Sequence, residues 1–193
     1  HSALWKSEDS TFTNNDNTLG VIHIVRDPRN IITSIKNHYG KDNYKEALNF
    51  MKDEKKFIGS KKITEEFDIP TLISSWSNHY KSWKKFKKNY LLIKYENLLE
   101  NPKFEFLKIT EFLKKIGNFN FKSSKIEKTI INSDFKYLKA QEDQNGFVEA
   151  PKNQFKKFFF LGPKNNWKNL LDENIKKEVE TNFKKYMEEI GYL

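Results

Sequence analysis

Apolar residues in this chain recur with two different periods. Val21, Ile22, Ile24 and Val25 form a dense β-branched run broken only by His23, which predicts a strand buried on both faces. The period then changes. Ile31, Ile32, Ile35 and Tyr39 recur at helical spacing, with Asp27 at a natural N-cap, Pro28 in the first turn and Gly40 as the stop. Residues 90–95 read as a second strand, Tyr-Leu-Leu-Ile-Lys-Tyr. Helices are expected over 44–57, carrying Leu48, Met51 and Phe57, and over 71–86, carrying Leu72, Trp76, Tyr80 and Trp83. Asn101 and Pro102 open a helix with Phe106, Ile109, Leu113 and Ile116 inward, closed by Gly117. Ser124 and Glu127 have capping-box spacing before a helix ending near Ile131. Asp172 starts a last helix, with Ile175, Val179, Phe183 and Met187 at four-residue intervals and Gly191 as its stop. Residues 1–19 and 132–153 read as mostly loop, 96–100 and 161–167 as turns, and Ile69-Pro70 as a break.

Strand, helix, helix, strand, helix is the order of an α/β fold whose parallel sheet is covered by helices. The length of 193 residues fits one domain with a sizeable core. Two strands are few for such a sheet, so further strands are expected to lie before His1.

Composition narrows the function. The formal net charge is +9, but the lysines are scattered among glutamates, as in Lys176-Lys177-Glu178. That pattern reads as a solvated surface, with no nucleic-acid partner. There is no cysteine, hence no disulfide framework and no thiolate metal site. No histidines or carboxylates cluster at ligand spacing, so no metal is implied. No apolar run reaches the length of a membrane span, and a cytoplasmic location is the expectation.

Of the 35 lysines and arginines, the two arginines, Arg26 and Arg29, both lie at the turn between the first strand and its helix. Arginine offers a planar fork that suits a phosphate or carboxylate. In open α/β sheets ligands bind at the carboxyl ends of the strands, and a helix N-terminus there favours an anion. Arg26 is therefore read as an anion-binding residue, against the competing reading of a structural Arg–Asp pair. Arg29, on the first helical turn, is read as structural. Ser34 shares the Asn30–Ser34–His38 face, opposite the isoleucines, from which its hydroxyl can reach the same anion.

Ile24-Val-Arg-Asp-Pro-Arg-Asn30 with Ser34 resembles the 3′-phosphate-binding segment of the sulfotransferases, enzymes that use 3′-phosphoadenosine 5′-phosphosulfate (PAPS) and release adenosine 3′,5′-bisphosphate (PAP). The resemblance continues along the chain. Leu92-Ile-Lys-Tyr-Glu-Asn-Leu98 followed by Asn101-Pro102 is similar to the family's Tyr-Glu-Asp/Asn-Leu segment, and Ser133-Asp-Phe135 to its Thr-Ser-Phe segment. Gly162-x-x-x-Asn-Trp-Lys168 is similar to Arg-Lys-Gly-x-x-Gly-Asp-Trp-Lys, and His1 lies where the family has the histidine of Lys-Thr-His. The resemblance implies a three-layer, P-loop-nucleotide-hydrolase-like architecture. It implies that Arg26 and Ser34 hold the 3′-phosphate, that Tyr95, Ser133 and Phe135 lie near the adenine, and that Gly162 closes the site. His1 would be the catalytic base. A small-molecule hydroxyl or amine would be the acceptor, and a homo-oligomer is compatible with this reading.

Two departures matter. Phe160 and Leu161 stand where the family has Arg-Lys, so positive charge must come from elsewhere, with Lys164 the nearest candidate and Lys157 behind it. The family's phosphosulfate loop has no counterpart in these residues, so this stretch is not expected to catalyse alone. Residues 41–70 are the expected lid over the acceptor, and 141–166 a flap that orders over the nucleotide. Two further readings stay open. A phosphotransferase of similar architecture would need a Walker loop, which these residues lack. A basic non-enzymatic binding module would bind nucleic acid with steep salt dependence.

Overall fold

The computed structural model describes residues 2–7, 10–59, 71–150 and 157–193. In chain order the elements are β1 (Lys6–Ser7), β2 (Ser10–Thr11), β3 (Val21–Val25), α1 (Pro28–His38), α2 (Tyr44–Lys52), β4 (Phe57–Ile58) and β5 (Thr71–Leu72). There follow α3 (Trp76–Lys84), β6 (Tyr90–Lys94), α4 (Tyr95–Glu100), α5 (Pro102–Ile116), α6 (Ser123–Asn132), α7 (Phe135–Asn145), α8 (Trp167–Leu170) and α9 (Glu173–Ile190).

The two expected strands pair with each other. β3 and β6 are parallel, in a register that sets His23 opposite Leu92 and Val25 opposite Lys94. One face of β3 is buried as expected, but the other is not: Ile22 is half-buried and Ile24 is 53% exposed, because α5 covers that face only near Gly20. Val21, His23 and Val25 are buried, and Val25 packs with Tyr80 of α3 and Ile190 of α9. On the opposite face a Cβ added to Gly20 would lie 2.9 Å from Ile116 and 3.1 Å from Phe112 of α5, so a side chain there would have to push those two tips aside. A second core joins α1, α2 and α9 through Ile32, Ala47, Leu48, Met51, Val179, Phe183 and Met187. This is the α/β architecture with helix-flanked parallel strands that the pattern predicts.

Where the apolar pattern was weak, the structure corrects the expectation. The helix expected over 71–86 starts at Trp76, because Ser74 adopts φ +60° and Ser75 caps the helix by accepting the Asn78 N–H. Thr71 and Leu72 instead pair antiparallel with Ile58 and Phe57, so the helix expected over 44–57 ends at Lys52. The expected loop over 132–153 contains α7, a mostly exposed helix whose signals are its ends. Asp134 accepts from the Lys136 and Tyr137 N–H groups, and Gly146 follows with φ +73°. The turn expected over 96–100 is α4. The Ser124 capping box does not form, since α6 begins one residue earlier, at Ser123, without a side-chain cap. The first nineteen residues hold the small β1–β2 hairpin.

Candidate functional site

β3 ends at Val25 and α1 begins at Pro28, so Arg26 and Asp27 form the turn. Asp27 caps α1 by accepting the Arg29 N–H at 2.9 Å. The two arginines then diverge. Arg29 is buried and wholly committed: its guanidinium bonds Asp27, Glu180 at 2.7 Å and the Tyr192 carbonyl at 2.8 Å, and stacks over Trp167 at 4.0 Å. It locks α1 to α9, as the structural reading expects.

Arg26 turns the other way. Its guanidinium lies over the Tyr95 ring at 4.5 Å, and Nη1 donates to Ser34 Oγ at 3.3 Å. Among the described residues Arg26 Nε is buried without a hydrogen-bond partner. A buried guanidinium N–H left unpaired is costly, and an anion would satisfy it. Two residues absent from the expected set hold this turn. Glu96 accepts the Asp27 N–H at 3.0 Å and the Tyr192 hydroxyl at 2.8 Å. Burial and the Glu96 carboxylate together push the Tyr192 phenol well above its usual range, so it remains a donor.

The closing segment meets the same point. Gly162 opens a 3₁₀ turn (Gly162–Lys164) with φ +51°, and a Cβ there would lie 2.4 Å from the Phe135 ring. Just beyond it, Asn165 is buried, and its amide donates to Ser34 Oγ at 2.8 Å and to the Asn30 carbonyl at 3.0 Å. Asn30 Oδ1 in turn accepts the Trp167 N–H at 2.9 Å. Upstream, the buried Glu142 of α7 accepts the Phe158 and Phe159 N–H groups at 2.6 and 2.9 Å.

Arg26, Ser34 and Tyr95 thus come together, and Phe135 with Gly162 forms a second contact that Asn165 ties to Ser34. Ser133 is exposed and donates to the Ile130 carbonyl at 3.1 Å. Lys164 is exposed, whereas Lys157 pairs with Asp143 at 3.1 Å. His1 lies outside the described residues, as do 60–70 of the expected lid and 151–156 of the expected flap. Asn165 was missed because a lone asparagine in a turn carries no signal. Asn30 was visible on the Ser34 face of the helix.

The other histidines are accounted for by packing, His38 by edge contacts with Tyr39 and Phe158. His23 Nδ1 and the Tyr90 hydroxyl are 2.8 Å apart, and the ring stacks on Tyr80. Burial holds His23 and His79 down at about 4. They line an apolar cavity of about 270 Å³ that reaches Arg26, with Ile31, Ile35 and Trp76 among its walls.

The fold and the sequence pattern define the class: the chain belongs to the sulfotransferase domain family, whose model matches residues 7–191. It is 31% identical over 119 residues to dog "Sulfotransferase 1B1", covering 58% of this chain and 38% of that protein. It is 29% identical over 119 residues to mouse "Sulfotransferase 1 family member D1", covering 59% and 39% respectively. The matched stretch thus spans about two-fifths of these curated relatives. Among solved structures, mouse sulfotransferase SULT7A1 complexed with PAP superposes with a TM-score of 0.62 at 21% identity, covering 87% of this chain and 58% of that one. That likeness is one of fold. Among the described residues no helix is long and apolar enough to cross a membrane, and no cluster could hold a metal ion.

Proposed function

We propose that this domain binds PAPS and its product PAP, and serves transfer of the sulfuryl group from PAPS to a hydroxyl or amine of a small acceptor. The carrying observation is the buried, unpartnered Nε of Arg26 beside Ser34 at the carboxyl end of β3. A 3′-phosphate fits that donor set: a guanidinium and a serine hydroxyl converge there. Tyr95 braces the guanidinium from below. Phe135 and Ser133 are assigned to the adenine, and Gly162 and Lys164 to closure, with exposed Lys164 taking the place of the family's Arg-Lys pair.

PAPS, when bound, supplies the sulfuryl group. The chain's own tasks are to neutralise the phosphate and to take the acceptor's proton. His1 is assigned the second, since an imidazole titrating near neutrality suits a general base. The apolar lining of the cavity beside Arg26 supports an acceptor whose nucleophile sits on an apolar body. The mouse relative complexed with PAP supports the choice of nucleotide.

Titration of the chain with PAP and with ATP, with and without magnesium, tests this reading. Tighter binding of PAP, independent of magnesium, is expected. Magnesium-dependent preference for ATP would favour the phosphotransferase, and salt-sensitive binding of nucleic acid without nucleotide binding would favour the basic module.

A further inference from the structure

Resting on the anion site just proposed, we infer that Asn165 is a positioning residue that turns Ser34 into an obligate hydrogen-bond donor toward the 3′-phosphate. A serine hydroxyl has one hydrogen to give and two lone pairs to accept with. At Ser34 both lone pairs are engaged, one by Arg26 Nη1 at 3.3 Å and one by Asn165 Nδ2 at 2.8 Å. Its hydrogen can only be given away.

A helical serine ordinarily gives that hydrogen to the carbonyl one turn back. For Ser34 that carbonyl is Asn30, and the other N–H of the Asn165 amide already occupies it at 3.0 Å. One amide thus fills the acceptor side of Ser34 and the competing acceptor on α1. What remains at Ser34 is a hydroxyl hydrogen beside a guanidinium, a pair of donors; the Oδ1 of the same amide is buried and has no hydrogen-bond partner among the described residues. Asn165 is itself 8% exposed and fixed in place, its own N–H bonding the Gly162 carbonyl while the Trp167 N–H bonds Asn30 Oδ1.

The sequence adds a reason. In the motif that this turn resembles, a glycine stands at the position of Asn165, and the Arg-Lys pair stands where this chain has Phe160 and Leu161. The chain lacks two cations there and gains an amide that no glycine supplies.

The test is titration of wild type, N165A and N165D with PAP and with adenosine 5′-phosphate, which lacks the 3′-phosphate, with thermal melting to verify folding. N165A is expected to lose roughly tenfold in PAP affinity and to leave adenosine 5′-phosphate unchanged. N165D should lose more, because its carboxylate accepts the Ser34 hydrogen and repels the anion. In an S34A background N165A should cost no further PAP affinity. Equal losses for both nucleotides, or losses at Ser34 and Asn165 that simply add, would overturn the inference. A wild type that prefers PAP alongside an N165A that keeps the preference overturns it alone, whereas a wild type with no preference for PAP overturns the anion site itself.

Discussion

Arg26 and Arg29 sit on one turn with the same charge and opposite fates, and substitution should separate them. Lysine at 26 keeps the charge but loses the fork and the stacking on Tyr95. Arg26→Lys is expected to weaken PAP binding by about 1–3 kcal/mol while leaving thermal stability close to wild type. Arg29 holds two carboxylates and a carbonyl in a buried setting. Arg29→Ala should destabilise the fold by about 3–5 kcal/mol in urea denaturation, since buried Asp27 is left uncompensated. A stable Arg29→Ala variant, or an Arg26→Lys variant that melts early, would exchange the two roles.

At the scale of elements, the closing segment is pinned at both ends by groups on neighbouring helices. α7 contributes Glu142, which holds the Phe158 and Phe159 backbone, and α1 contributes Asn30 and Ser34, which hold Asn165. The bend between them depends on Gly162, whose φ of +51° disfavours any side chain and whose missing Cβ makes room for Phe135. Gly162→Ala should displace the Phe135 ring and weaken PAP and adenosine 5′-phosphate together, in contrast to N165A. Glu142→Ala should expose the chain around Phe158 to limited proteolysis without unfolding β3 or α1, as hydrogen exchange of those elements would report. Unchanged resistance of the chain around Phe158 in the Glu142→Ala variant would remove the clamp.

Over the whole molecule, stability should carry a histidine signature. His23 is buried and His79 half-buried, and desolvation lowers both from 6.5 to about 4. As pH falls below 6.5 the unfolded chain takes up protons that the folded chain refuses until about 4, so the unfolded state gains. Stability is therefore full above 6.5 and declines between 6.5 and 4. The urea midpoint is expected to fall across that window, and His79→Gln should flatten the decline. A midpoint that does not move between those limits would mean that neither imidazole is held neutral by the fold.

Local sequence determined much of this. The β-branched density of 21–25, the apolar and aromatic run of 90–95, the Asp27–Pro28 helix start, the four-residue rhythm of 175–187 and the confinement of arginine to one turn act through neighbours in the chain, so they were legible and the fold followed them. The family motifs that put Arg26, Ser34, Tyr95 and Gly162 among the expected site residues are likewise short runs of neighbours. What only the tertiary structure decided are contacts between distant segments. The Asn165 amide reaches Ser34 across 131 positions of chain, and the Tyr192 hydroxyl reaches Glu96 across 96. α7 stayed hidden because a mostly exposed helix shows little apolar periodicity. Ser34 could be read as a helix-face hydroxyl from sequence alone, but the direction of its hydrogen depends on which donors fill its lone pairs, and packing brings those donors there.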